Sequence, residues 1–302
     1  MRAVKVIATC FKPKEILEKT RLAGDPLGYF YHSQNFTNTS DIINLLKLNI
    51  DLENKYNPGF DRDIIFVNAN INSSEGNKFI ENINNQKIKR GKIIAYTREN
   101  FGLSFGSYND AFKKFKKDYD YFLFTEDDWI IFKDNYLKIG IDILNKNPKT
   151  GMVSYVGVTK INKKKWNELG LKKETAYGCH GGVGLSSTKI LSIIEKKYGC
   201  LPHYTKNDYR KSITYGEIRF PNSFIQIGYN LVDLPRDMIF GMPAYDFMRG
   251  IKYKKFPNFF EIIYIYYLKT VFKRYLVKFI WKIVSKTELS KKIYLKIISK
   301  FK

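Results

Sequence analysis

The sequence predicts an α/β domain with a mostly parallel sheet and helices on both faces. Three observations carry this. Short β-branched runs alternate with longer segments of helical periodicity. The runs are almost wholly apolar, as strands covered on both faces must be. Gly, Pro and Asn fall between the two kinds of segment and punctuate them.

Taken in order, Val4 to Thr9 is the first strand. Residues 11–39 are polar and contain Pro13, Gly24, Pro26 and Gly28, which reads as a loop with one short helix. Ser40 or Asp41 caps a helix towards Tyr56, with Ile42, Leu45, Leu46 and Ile50 on one face. Asn57-Pro58-Gly59 stops it. Asp63 to Val67 is a second strand, Ser73 to Ile88 a helix, and Lys92 to Tyr96 a third strand. A helix over 105–117 leads to an apolar fourth strand, Tyr119 to Thr125. Further on come a helix from Asn135 to Asn145 and a strand from Gly151 to Val158. Gly181-Gly182-Val183-Gly184 precedes a helix from Ser187 to Lys196. A last helix is expected from Ile213 to Gly228, interrupted or reset in its first turn by Pro221.

The chain has 302 residues, 44% hydrophobic, which suffices for one large domain and excludes global disorder. The reading divides it into a domain over 1–250 and a basic helical tail over 251–302. In Arg274 to Lys286 the apolar Leu276, Val277, Ile280, Ile283 and Val284 oppose Arg274, Lys278 and Lys282, a basic amphipathic pattern. The tail holds 14 Lys/Arg against 2 Asp/Glu, so about half of the net charge of +23 lies there. That pattern suits an anionic membrane surface better than a nucleic acid, and no nucleic-acid partner is expected. Cys10, Cys179 and Cys200 form no close pair, which argues against a disulfide framework. No leader-like apolar run precedes the first strand, and no segment offers the roughly 20 uncharged apolar residues of a membrane span. The expected setting is therefore cytoplasmic, with the tail at the inner face of the membrane.

In parallel sheets ligands bind beyond the carboxyl ends of the strands. Four segments fall at such ends: Thr9-Cys10-Phe11, Asn68-Ala69-Asn70, Thr97 to Asn100, and the acidic cluster Glu126-Asp127-Asp128. Three adjacent acids after a buried strand repel one another unless a cation lies among them. Mg²⁺ or Mn²⁺ suits such oxygen ligands and commonly bridges carboxylates to phosphates.

Tyr121 to Trp129, strand then Glu-Asp-Asp, resembles the D-x-D turn of family 2 glycosyltransferases. Arg98 to Asn109 resembles that family's N-x-G…A-x-N segment, with Gly106 or Ser107 at the Ala position. Asn68 stands where the family's V-D-x-G-S run has its Asp. Gly181 to Ser186 resembles the glycine-rich segment before the acceptor-side helix. Tyr215-Gly216-Glu217-Ile218 with Gly228-Tyr229 resembles the E-D…G-Y region. These matches span roughly residues 3–250.

The resemblance implies a GT-A-type, Rossmann-like fold and inverting transfer of one sugar. The donor would be a nucleotide-diphosphate sugar, and the acceptor a surface glycan or a lipid-linked molecule. It implies Glu217 as the catalytic base, Asp128 and Glu126 as ligands of Mn²⁺ or Mg²⁺, and a donor site lined by Thr9, Phe11, Asn68, Asn70, Arg98, Asn100, Gly102, Glu126 and Asp127. Local alternatives stand beside it. Glu217 also fits a helix-start carboxylate facing the dipole. His180 and His203 fit structural histidines as well as metal neighbours. Arg219, Arg236 and Arg249 fit surface arginines as well as phosphate contacts. A sugar-1-phosphate nucleotidyltransferase shares this sheet type but requires a glycine-rich loop where this chain has Thr9 to Lys14. A catalytically inactive member that binds a glycan or partner, and a nucleic-acid-binding basic protein, are the remaining alternatives.

Overall fold

The computed structural model describes residues 1–11, 39–161, 167, 177–205, 209–234 and 240–243. The chain divides into two compact units, Met1–Arg249 and Gly250–Lys302, and the second lies outside the described residues, with the expected amphipathic tail. So does the expected loop and short helix over 12–38.

The fold is an α/β sheet of eight strands in the order β11-β7-β10-β5-β1-β2-β4-β3. Its strands are β1 (Ala3–Thr9), β2 (Arg62–Asn68), β3 (Lys87–Ile88), β4 (Gly91–Thr97), β5 (Tyr121–Glu126), β7 (Thr150–Ser154), β10 (Gly184–Ser187) and β11 (Asn230–Asp233). The adjacent strands β5, β1, β2 and β4 are parallel. Their register aligns Ala8 with Glu126, Thr9 with Asn68 and Asn68 with Thr97, so their carboxyl ends share one edge. Two short ribbons complete the strands. β6 (Trp129–Ile131) pairs with β12 (Gly241–Pro243), and β8 (Val158–Lys160) with β9 (Tyr177–Cys179).

The helices are α1 (Thr39–Lys55), α2 (Ser74–Ile83), α3 (Leu103–Phe115), α4 (Tyr136–Lys146), α5 (Thr188–Tyr198) and α6 (Tyr209–Gln226). Strand alternation splits β1 between the two faces. Val4, Val6 and Ala8 pack with Phe105, Tyr108 and Phe112 of α3, Leu191 of α5 and Phe220 of α6. On the other face Ile7 meets α1 and α2, and Ala3 meets α4. Lys5 is buried on that second face and finds its charge partner in α1. Its Nζ donates to Glu53 Oε1 at 2.8 Å, while Glu53 Oε2 accepts from Arg62 Nη2 at 2.5 Å and Tyr136 hydroxyl at 2.7 Å. The two cations hold the Glu53 carboxyl down at about 2 despite complete burial. One carboxylate thus joins α1, β1, β2 and α4.

Several boundaries differ from expectation for local reasons. The helix expected through Ile88 ends at Ile83, because Asn85 takes a left-handed φ of 64° and starts the β3–β4 hairpin. The strand expected over 151–158 stops at Ser154, whose Oγ accepts from Val156 N at 3.4 Å and Gly157 N at 3.0 Å and turns the chain. The glycine-rich stretch is more than a connector. It ends in β10, antiparallel to both β5 and β7, and makes the sheet mixed. Helix α6 begins before Ile213 and runs through Pro221. Asn222 Nδ2 donates to Ile218 O at 2.6 Å, and Ser223 Oγ to Phe220 O at 2.6 Å, so side chains take up carbonyls next to the proline.

Candidate functional site

The acidic turn forms where β5 leaves the sheet, and Asp127 and Glu126 have separate surroundings. Asp127 is a brace. Its Oδ2 accepts from Thr9 Oγ1 at 2.6 Å, its N–H donates to Ala8 O at 3.1 Å, and its carbonyl accepts from Asn49 Nδ2 at 3.0 Å. Glu126 instead faces α3, where Ser104 Oγ donates to its Oε1 at 2.6 Å. Burial first, and Asp128 second, push the Glu126 carboxyl up to about 8.

On the far side of Glu126 runs a single 3₁₀ turn, His180–Gly182. Gly181 and Gly182 are left-handed there, with φ of 58° and 63°. A Cβ at Gly181 would lie 2.4 Å from Glu126 Oε2, so only glycine lets the carboxylate approach. The same turn holds Glu217: its Oε1 accepts from Gly181 N at 3.1 Å and from His180 Nδ1 at 2.8 Å. The Glu217 bond, ahead of every other influence, pushes His180 up to about 9. One three-residue turn therefore touches both carboxylates that the sequence put forward, Glu126 and Glu217.

Phe105 sets the spacing of this assembly. Its ring lies between the turn and α6, where Cβ atoms on Gly182 and Gly216 would come within 2.6 Å and 2.0 Å of it. Tyr108 hydroxyl anchors the turn from α3, donating to Gly181 O at 3.0 Å. Glu217 sits in the third turn of α6, and this overturns the helix-start alternative. His180, read from sequence as structural or a metal neighbour, meets Glu217 instead, and Ser104 was assigned no role, because each meets its partner only through the fold.

The remaining residues line the same edge of the sheet. Asn68 is fully buried, and its amide is occupied: Oδ1 accepts from Phe11 N at 3.4 Å, and Nδ2 reaches Asn70 O at 2.9 Å and Asn77 Oδ1 at 3.1 Å. Asn70 Nδ2 donates to Phe11 O. Phe11 is buried against Gly76 of α2. These three side chains, with Thr9, hold the β1 and β2 loops together. Arg98 is buried behind the exposed ring of Phe101, with its guanidinium carbon 4.3 Å from the ring centre. Asn100 is exposed, and its Nδ2 lies 3.8 Å from Cys10 Sγ. Gly102 is left-handed and packs on His203, whose Nδ1 bonds Leu201 O at 2.8 Å. Arg219 is exposed over Tyr215, while Arg236 and Arg249 lie outside the described residues.

Glu126, Asp128 and Glu217 place several carboxylates in one area, and His180 partly offsets them. Among the described residues no group of three or more His, Cys, Asp or Glu side chains is arranged to hold a metal ion. Two carboxylates, Glu126 and Asp128, do fit an oxygen-seeking divalent cation that completes its shell with phosphate and water. Burial, and then Asp128, raise the Glu126 carboxyl, and such a cation would favour its ionised form. No described helix is long and apolar enough to cross a membrane.

No protein-family model matches the chain. No curated protein matches it either. Among the solved structures similar to it are three at low identity. The first is a CMP-2-keto-3-deoxy-manno-octonic acid synthetase in complex with CTP (11% identity, 84% of this chain and 98% of that one, TM-score 0.43). The second is the 4-diphosphocytidyl-2C-methyl-D-erythritol synthase of Anaerococcus prevotii (12%, 78% and 86%, TM-score 0.40). The third is the galactosyltransferase LgtC with donor and acceptor sugar analogues (11%, 79% and 74%, TM-score 0.38). Likeness at this level assigns no chemistry to the chain.

Proposed function

We propose that the chain is a glycosyltransferase of the GT-A, family 2 type, moving one sugar from a nucleotide-diphosphate sugar to an acceptor hydroxyl with inversion. The observation that carries this reading is the His180–Gly182 turn, which joins Glu126 of the acidic turn to Glu217 of α6. A carboxylate for the metal side and one for the base side, brought to one glycine, support this reading.

Glu217 is the base. His180 and the Gly181 N–H both occupy Oε1, which fixes the carboxylate and leaves Oε2 for the acceptor hydroxyl. As the acceptor oxygen bonds to the anomeric carbon, its proton passes to Glu217. The bond from that carbon to the phosphate oxygen breaks, and the nucleoside diphosphate departs. Attack opposite to the leaving group inverts the centre. Glu126 and Asp128 would hold Mn²⁺ or Mg²⁺, whose chemistry here is to offset charge on the leaving diphosphate. Asn100, Gly102 and Arg98 form the donor wall, and Thr9, Phe11, Asn68, Asn70 and Asp127 shape it from behind.

The acceptor is a surface glycan or a lipid-linked molecule, and residues 251–302 bring the enzyme to an anionic membrane surface. Flotation with anionic liposomes, lost on deleting 251–302, is the expected result; equal flotation without the tail contradicts it.

A panel of nucleotide sugars tests the function. Thermal stabilisation by one nucleotide class is expected with Mn²⁺, and it should be much weaker with EDTA and in Asp128→Ala. The absence of a response to every donor contradicts the reading.

A further inference from the structure

Arg98 follows β4 at the carboxyl edge of the sheet and is only 7% exposed. Its Nη2 donates to Phe101 O at 2.6 Å. Its Nε and Nη1 are buried, and neither has a hydrogen-bond partner. Burial works against its charge and lowers its pKa. The field of Asp110 works the other way, but that carboxylate already accepts from Tyr96 hydroxyl at 2.7 Å and pairs with Lys114 Nζ at 3.1 Å. A buried donor without an acceptor is costly, and such donors are generally satisfied.

Helix α3 starts beside this guanidinium. A Cβ on Gly106, in the first turn, would lie 2.5 Å from Arg98 Nη2. The helix has 13 residues, a glycine N-cap without a side-chain bond, and no acidic residue in its first turn. The N–H groups of Ser104 and Phe105 precede the first intrahelical bond, Gly106 N to Gly102 O at 2.9 Å. A free helix start and a guanidinium with two unpartnered donors thus meet at one place, both short of negative charge.

The structure assigns to Arg98 and the first turn of α3 a seat for a phosphate-class oxyanion. Ser104, in the same turn, bonds Glu126, so the seat adjoins the acidic turn. Phe101 covers the guanidinium, and its ring, 41% exposed, turns aside to admit the anion. That the anion is the donor's diphosphate rests on the glycosyltransferase reading; a phosphate carried by the acceptor offers the same chemistry.

Titration of the full chain with inorganic phosphate, pyrophosphate and nucleoside diphosphates tests the seat. EDTA is present and ionic strength is held with chloride. Saturable binding is expected, weakened at least tenfold in Arg98→Gln and retained in part in Arg98→Lys. A nucleoside diphosphate that binds tighter than phosphate, in an Arg98-dependent way, identifies the donor as the source. Equal affinities for the phosphates point to an acceptor phosphate. Should Arg98→Gln fail to fold, phosphate-induced shifts of the Ser104 and Phe105 amides in the unaltered chain give the same information. No saturable binding, equal binding in Arg98→Gln, or amide shifts confined to Lys113, Lys114 and Lys117 overturns the proposal. The readout needs no turnover, so it stands or falls apart from sugar transfer.

Discussion

The approach of Glu126 to Gly181 makes a quantitative prediction that does not depend on any substrate. Gly181→Ala puts a methyl group into two conflicts. Its φ of 58° costs an L-residue about 1–2 kcal/mol. Its Cβ would also sit 2.4 Å from Glu126 Oε2, so the carboxylate must move, and its 2.6 Å bond from Ser104 is loosened. With its carboxyl pushed up to about 8, Glu126 is mostly protonated at neutral pH, and losing a hydrogen bond to the neutral group adds about 0.5–1.5 kcal/mol. The expected total is about 1.5–3.5 kcal/mol. Gly199→Ala is the control, since Gly199 has φ of 76° with nothing within 4 Å of its added Cβ. It should cost only the conformational part, about 1–2 kcal/mol. Urea denaturation measures both. In a Glu126→Ala background the cost of Gly181→Ala should fall to that of Gly199→Ala, a coupling that a double-mutant cycle isolates. If Gly181→Ala costs no more than Gly199→Ala, or costs the same with and without Glu126, the described contact is wrong.

Three further outcomes follow from the charges and packing. Glu126 is raised to about 8 in the folded chain, so its contribution to stability is full below about 4.5 and is lost as pH rises through 8. His180, raised to about 9, acts in the same direction above 6.5. The fall in stability between pH 5 and 8.5 should therefore be shallower in Glu126→Gln, as pH-dependent urea midpoints would show. Glu53 is held at about 2, so its contribution is present above about 4.5 and lost as pH falls towards 2. Glu53→Gln leaves Lys5 and Arg62 as uncompensated buried cations and should cost about 3–5 kcal/mol by the same assay. Gly216→Ala drives a methyl group to within 2.0 Å of Phe105, and should lower the melting temperature and shift the amide signals of Glu217 and Gly181 together.

The sheet was legible because its central strands are short, mainly apolar runs, as parallel strands covered on both faces generally are. Ile64-Ile65-Phe66-Val67 and Phe122-Leu123-Phe124 are examples. The acidic edge was legible for the same reason, since a strand of known direction fixes where its end points. β10 was not legible: Gly-Leu-Ser-Ser has little β preference, and its place depends on filling the gap between β5 and β7. The start of α6 was misplaced because Gly216 and Pro221 weaken its helical signal, and that error hid the depth at which Glu217 sits. Ser104 reaches Glu126 across 22 residues, and the Gly181 amide reaches Glu217 across 36. No local pattern encodes such pairs, because they form only once α3, the 3₁₀ turn and α6 are packed around Phe105. Asn68 shows the reverse case. Its position matched a motif, yet its amide is taken up by Phe11, Asn70 and Asn77.

The most direct test of the central claim is nucleoside diphosphate release from the donor that stabilises the chain, compared between the unaltered protein and Glu217→Gln with acceptor present. The account predicts equal donor binding in both and release at least a hundredfold slower in Glu217→Gln, within the usual span of general-base catalysis. Equal release rates would remove Glu217 as the base, and with it the claim that the His180–Gly182 turn joins the two halves of an active site.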